Sequence, residues 1–203
     1  MKNSWKIISS IISSAFTTIS AILPAEARPQ LTGMTNAQRT SLKSLGMKIV
    51  VPGYVPEGFR VIGITTDPLR EGRSKIGRPA YSIIYRSPSN SCFQISGTSG
   101  GVGGPGGEYQ VPVTSQLLGT ESLYFNTRPR ASSGNLTPSP ALLKAPQSYL
   151  RTDWFKYSSS VESFYSLNSP LTLRPTIGTP GCKASSITPQ EAIKIVDALE
   201  WLP

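Results

Sequence analysis

Eighteen prolines and eighteen glycines are spread along this 203-residue chain, and they leave room for one long helix only. Proline removes a backbone donor and pushes the residue before it out of the helical region, so helices stop ahead of it. The long stretch that escapes interruption is the last. Thr188-Pro189-Gln190-Glu191 is a capping box with proline at the first helical position, and "QEAIKIVDALEWL" continues it. Ala192, Ile195, Val196, Leu199 and Leu202 recur there at helical spacing, which predicts one helix running to the C-terminus. Thr35 to Leu45 predicts a second, short helix, capped by Thr35 or Asn36 and stopped at Gly46.

Between these ends the pattern is β. "RVIGIT" (from Arg60), "YSIIYR" (from Tyr81) and "CFQIS" (from Cys92) read as strands, the last two joined by the turn "SPSNS". "EYQVPV" and "SLYF" add two more, and Pro112 demotes the former to an edge or a bulge. Arg151 to Tyr157 and Val161 to Leu167 alternate as a hairpin, and Leu171 to Leu173 is a further short run. "PGYVPEGF", Pro52 to Phe59, reads as an extended turn with Tyr54 and Phe59 plugged into the core. The expected fold is therefore α+β: an antiparallel sheet packed by the C-terminal helix, with a short N-terminal helix. Residues 28–203 form one domain with loops at 66–79, 97–107 and 131–140.

The first 27 residues read as a secretory signal, with Lys2 and Lys6 before an apolar run and Ala25-Glu26-Ala27 as the cleavage site. The rival is a membrane anchor, but the run is short and rich in hydroxyls. No later segment is apolar enough to span a membrane. Cleavage would take Lys2, Lys6 and Glu26 from a chain of net charge +9 and leave +8. A basic exported protein is attracted to anionic surfaces, although such charge also serves solubility alone. Nucleic acid is a poor partner in that setting.

Cys92 and Cys182 are the only cysteines. In an exported chain a pair reads as a disulfide, here closing a loop of about 90 residues. The alternative is a redox or metal pair, without Cys-x-x-Cys spacing to support it. The chain has no histidine. That removes Ser-His-Asp and Cys-His catalysis and histidine zinc sites. No Ser-x-x-Lys, no clustered Asp/Asn calcium loop and no cofactor motif is present. A two-carboxylate glycosidase is the surviving enzyme reading, with Glu108, Glu121, Asp153 and Glu162 as candidates; scattered surface charge explains them as well. No enzyme activity is expected.

Two loops invite a functional reading. "GTSGGVGGPGGE", from Gly97, contains Gly101-x-Gly103-x-x-Gly106, the spacing of a dinucleotide loop. Such a loop must open a helix, whereas β-prone "EYQVPV" follows here. A flexible or tightly turned connection is the simpler expectation, with alanine at Gly101 or Gly103 costing about 1 kcal/mol wherever φ is positive. The second loop carries Arg70, Arg73, Lys75 and Arg78 against Glu71 alone. Guanidinium forks suit phosphate or carboxylate, so these four are the ligand-binding candidates, Arg128 and Arg130 extending them; a solvated loop is the alternative. Tyr124, Phe125, Trp154, Phe155, Phe164 and Tyr165 are candidates for a sugar or lipid groove, or simply core.

"VVPGYVPEGFRV", "YSIIYR", "CFQIS" and the final "TPQEAIKIVDALEWL", in that order, resemble a group of exported cyanobacterial proteins of unknown function. The order is also similar, more weakly, to small bacterial extracytoplasmic domains marked by Y-x-P-x-G-F, of the lipoprotein-carrier and sigma-factor-regulatory type. The resemblance implies binding or sensing in the periplasm, with no catalytic residue set. The reading is of a non-catalytic periplasmic or cell-surface module for an anionic envelope surface or a protein partner. A structural envelope protein without a ligand is the alternative, and a glycan hydrolase a more distant one.

Overall fold

The computed structural model describes residues 34–67, 79–100, 102–129, 131–159, 162–169, 182 and 187–203. Helix α1 covers Asn36–Lys43, with the Thr35 hydroxyl accepting from Gln38 N and the Gln38 side chain returning to Thr35 N. Its capping box satisfies two amides that the first turn leaves without partners. Gly46 follows with φ at 69°.

The strands are β1 Val50–Pro52, β2 Arg60–Asp67, β3 Ala80–Arg86, β4 Cys92–Thr98, β5 Tyr109–Ser115, β6 Gly119–Asn126, β7 Tyr149–Thr152, β8 Phe155–Tyr157, β9 Ser163–Ser169 and β10 Leu199–Trp201. Eight of them form one sheet in the order β2-β3-β4-β9-β7-β6-β5, with β8 also pairing β9. Every pairing in it is antiparallel. β5 lies at one edge, where Pro112 removes a ladder donor at the least cost. β1 and β10 make a separate two-stranded pair.

Alternation along the strands gives the sheet one apolar face. Tyr81, Ile83 and Tyr85 of β3, Phe93 and Ile95 of β4, Tyr165 and Leu167 of β9, Leu150 of β7 and Leu123 and Phe125 of β6 are buried. They belong to a single cluster with Leu42 of α1, Val50 and Val51 of β1, and Ala192, Ile195 and Val196 of α3, Pro189–Asp197. α3 lies beside β5 and β6. The opposite face is polar. Thr65, Ser82, Ser96 and Ser166 follow one another across four strands, and Gln94, Asn168, Arg151, Tyr124 and Gln110 across five.

Three local expectations change. The terminal helix ends at Asp197, and Leu199–Trp201 leave it as β10. Pairing with β1 buries Leu199 and sets Trp201 edge-on to Tyr157 and Tyr165, contacts that two more helical turns would forfeit. The segment from Arg151 to Tyr157 is two strands, not one. Asp153 N donates to Ser122 O, and Asp153 Oδ1 accepts from Trp154 N, so the chain breaks ladder there. Its upstream half pairs β6 and its downstream half pairs β9. The end of the loop 131–140 starts an additional helix, α2 Pro140–Lys144, capped by Ser139. Leu136 of that loop bridges to Tyr109. The signal segment and the run Leu171 to Leu173 lie outside the described residues.

The glycine tract is the connection from β4 to β5, which the sheet order places four strand spacings apart, about 19 Å. It leads into β5, not into a helix. The carbonyl of Gly103 accepts from Trp154 Nε1 at 3.0 Å, and Gly107 O accepts from Gly134 N. Trp154 in turn lies 5.0 Å from the guanidinium of Arg151, one of the polar-face residues. Gly103 has no positive φ and open space where a Cβ would stand, so the expected penalty for alanine there does not arise; Gly101 lies outside the described residues.

The buried Tyr81, Tyr85 and Tyr165 and the half-buried Tyr54 give the fold a pH response. Burial raises Tyr81, Tyr85 and Tyr165, the last to about 12, and Tyr54 rises to about 12 through burial and its bond to Glu191. Each folded-state value lies above the unfolded value near 10, so the unfolded chain releases these protons first. Stability should hold up to about pH 10 and fall steadily towards pH 12, read as a declining thermal midpoint with tyrosine ionisation lagging until unfolding. A midpoint flat across that range would contradict the burial.

Candidate functional site

Two turns meet at one end of the sheet. The first is Tyr54-Val55-Pro56-Glu57-Gly58-Phe59, closed by Phe59 N donating to Pro56 O at 3.1 Å. Gly58 stands at φ 79°, with Pro88 Cδ 3.2 Å from where a Cβ would project, so both conformation and space call for glycine. The second is the β3–β4 turn at 87–91. Asn90 takes φ 66°, Asn90 N donates to Ser87 O at 3.0 Å, and Ser91 N donates to Ser87 Oγ. Asparagine is among the residues that tolerate this region best.

Two open grooves lie against these turns. One, of about 410 Å³, is lined by Pro56, Glu57 and Phe59 of the first turn, the 87–91 turn, and Pro146, Ile187, Thr188 and Glu191. The other, of about 260 Å³, is lined by Gly58, Arg60, Arg86, Ser87, Pro88 and Asn90. Ser87 and Pro88 are common to both. Arg60 opens β2 and Arg86 closes β3, and they are direct cross-strand partners. Two cations at neighbouring positions make this end of the hairpin a locus of positive charge.

The larger groove also carries two carboxylates, Glu57 and Glu191. Glu191 Oε2 accepts from the Tyr54 hydroxyl at 2.7 Å, and Glu191 Oε1 receives Lys194 Nζ at 3.3 Å. Phe59 is held from below, its ring centroid 5.4 Å from that of Phe93, which stacks on Tyr85.

Cys92 and Cys182 are disulfide-bonded, with Cα atoms 5.6 Å apart. Arg70, Arg73, Lys75 and Arg78 lie outside the described residues. Their loop leaves β2 at Asp67 and re-enters β3 at Ala80, which are paired with each other. Ser99 N donates to Pro79 O, so the glycine tract starts beside that loop's return. Arg128 follows β6, whose end is paired to the start of β7, at the sheet end opposite Asp67 and Ala80. Arg130 lies outside the described residues.

The six aromatic candidates divide by strand parity. Phe125, Phe155 and Tyr165 are buried in the core, whereas Tyr124, Trp154 and Phe164 are half-buried. Of the four acids, Glu108 accepts from Thr127 N and Oγ1, and Glu162 pairs with Lys156. Glu121 and Asp153 lie near enough to interact: burial and then the charge of Asp153 raise the Glu121 carboxyl above its usual range. Among the described residues no group of three or more cysteine and carboxylate side chains could hold a metal, and no helix is long and apolar enough to cross a membrane.

Arg60 and Arg86 went unnoticed in the sequence because each is a lone cation at a strand end. The available signal was the turn on either side of them, "VPEGFR" and "YRSPSNS", which places both at the same end of a hairpin. Comparison of the chain with protein-family models, with curated proteins and with solved structures finds no match.

Proposed function

We propose that this is an exported, non-catalytic binding module of the periplasm or cell surface that takes an anionic partner, an envelope polymer, lipid or protein. The observation that carries the reading is the cross-strand pair Arg60 and Arg86 lining one groove. The net charge of +9 supports it by raising the positive potential around that groove. The resemblance of the Y-x-P-x-G-F turn to extracytoplasmic binding and sensing domains supports it also, since that turn builds the groove wall. In this reading residues 1–27 are the cleaved signal, the disulfide suits the oxidising compartment, and α3 covers the apolar face of the sheet, leaving the turn end open. Arg70, Arg73, Lys75 and Arg78 form a second basic element on the same module.

Retention on immobilised polyphosphate against a salt gradient tests this. Arg60→Ser/Arg86→Ser and the serine quadruple at 70, 73, 75 and 78 should each elute at lower salt than wild type. The serine quadruple should leave the thermal midpoint nearly unchanged, as surface substitutions seldom cost more than about 0.5 kcal/mol. Unchanged elution of both variants would sink the reading. A hydrolase is the second reading, for which Glu121, its carboxyl raised by burial and by the charge of Asp153, is the candidate acid. Release of reducing sugar from envelope glycan by wild type but not by Glu121→Gln would put that reading first.

A further inference from the structure

The arginine groove and the larger groove share the wall made by Ser87 and Pro88, and their linings differ in kind. One side offers two guanidinium groups. The other offers Phe59, Pro146 and Ile187 together with the carboxylates of Glu57 and Glu191. A ligand that satisfies both sides has an anionic head and an apolar tail. Its tail must be uncharged, because a second anion in the larger groove would face two carboxylates. The larger groove's 410 Å³ falls within the usual range for small-molecule sites.

We propose that the two grooves form a single site for a small amphiphilic monoanion, its carboxylate on Arg60 and Arg86 and its alkyl tail along Phe59, Pro88, Pro146 and Ile187. This rests on the anion-binding reading above and names the chemistry of the ligand for that groove. Two sources present this chemistry: a free fatty acid, and the C-terminal carboxylate of a peptide ending in an apolar residue. The turn backbone supports either, because Gly58 and Asn90, at positive φ, hold the two turns to their shape around the arginines.

The test is titration of the full chain, followed by NMR, with acetate, hexanoate, hexanamide, adipate and N-acetylnorleucine. Each buried methylene adds about fourfold in affinity, so hexanoate should bind at least about tenfold tighter than acetate even if half its tail stays wet. Adipate, which carries a second carboxylate to Glu57 and Glu191, should lose most of that gain. Hexanamide, without the charge, should bind at least about tenfold more weakly than hexanoate. Arg60→Ser/Arg86→Ser should abolish binding of all the acids. Pro146→Asp, at an exposed position, should erase the advantage of hexanoate over acetate and leave acetate unchanged.

Hexanoate tighter than N-acetylnorleucine supports a fatty acid, and the reverse order supports a peptide terminus. Equal affinity for acetate and hexanoate, both lost in the double arginine variant, overturns the amphiphile and leaves the anion site standing. Failure of every acid to shift resonances at the grooves overturns the proposal, and unaltered polyphosphate retention of both the double arginine variant and the serine quadruple then removes the reading beneath it.

Discussion

Replacement of Cys92 and Cys182 together by alanine should lower the free energy of unfolding by about 4 kcal/mol, the loop-entropy expectation for a closed loop of this length. The bond joins residues separated by 90 positions, so β5 to β9 all lie within the loop it closes. The native connection keeps a second tether at the same place. Ser169 Oγ donates to Cys92 O at 2.7 Å and accepts from Ile187 N at 3.1 Å, both buried. The folded contacts therefore survive reduction, and the loss arises in the unfolded chain, which gains freedom. Urea denaturation should show a lower midpoint and a steeper m-value, since an uncrosslinked chain exposes more surface. Wild type in reductant should shift in the same direction as the double variant. A change under about 1 kcal/mol in both would show that the loop adds little to unfolded-state entropy.

Gly97→Ala should be a strongly damaging single methyl group. A Cβ there would stand 2.8 Å from Tyr81 Cζ and 3.0 Å from Tyr165 Cδ1, closer than such contacts are found. Neither ring is free to yield. The Tyr81 hydroxyl is bonded to Val50 N at 2.7 Å, and the Tyr165 hydroxyl donates to Lys48 O at 2.9 Å. Relief would break a bond that ties β1 to the sheet, so the cost should reach the upper end of the ~1–3 kcal/mol typical of overpacking. Gly103→Ala, six residues on, meets no atom within 4 Å and should fall within about 0.5 kcal/mol of wild type. Equal urea midpoints for the two variants would show that the rings can move aside.

These two glycines mark where reading from sequence stops. Both stand in "ISGTSGGVGG", and nothing local separates them. Only the register Tyr81↔Gly97↔Tyr165 shows that one of them sits between two aromatic rings. The candidate site shows the same limit. "PGYVPEGF" and "SPSNS" declare themselves as turns through proline, glycine and asparagine, yet their meeting depends on β2 and β3 pairing with Arg60 opposite Arg86. Helix α2 was within reach: Ser139-Pro140 has the same hydroxyl-then-proline start as Thr188-Pro189, but the five-residue helix is too short to show a period.

By itself the sequence determined what depends on a residue and its near neighbours. The helix caps at Thr35 and Thr188, the strands at Arg60, Tyr81 and Cys92, the edge position of the Pro112 strand and the exclusion of histidine chemistry follow from local sterics, periodicity and composition. Tertiary structure decided what depends on partners far away in the chain. The same Leu199-Glu200-Trp201 that continues a helical period is taken into a strand, because β1, some 150 residues earlier, offers a ladder and Tyr165 offers an aromatic face. The sheet order sends β9 between β4 and β7 and so makes the glycine tract cross between distant strands. Long-range pairing energy outweighs local propensity of a few tenths of a kcal/mol per residue, and the groove at the turn end is a product of that pairing.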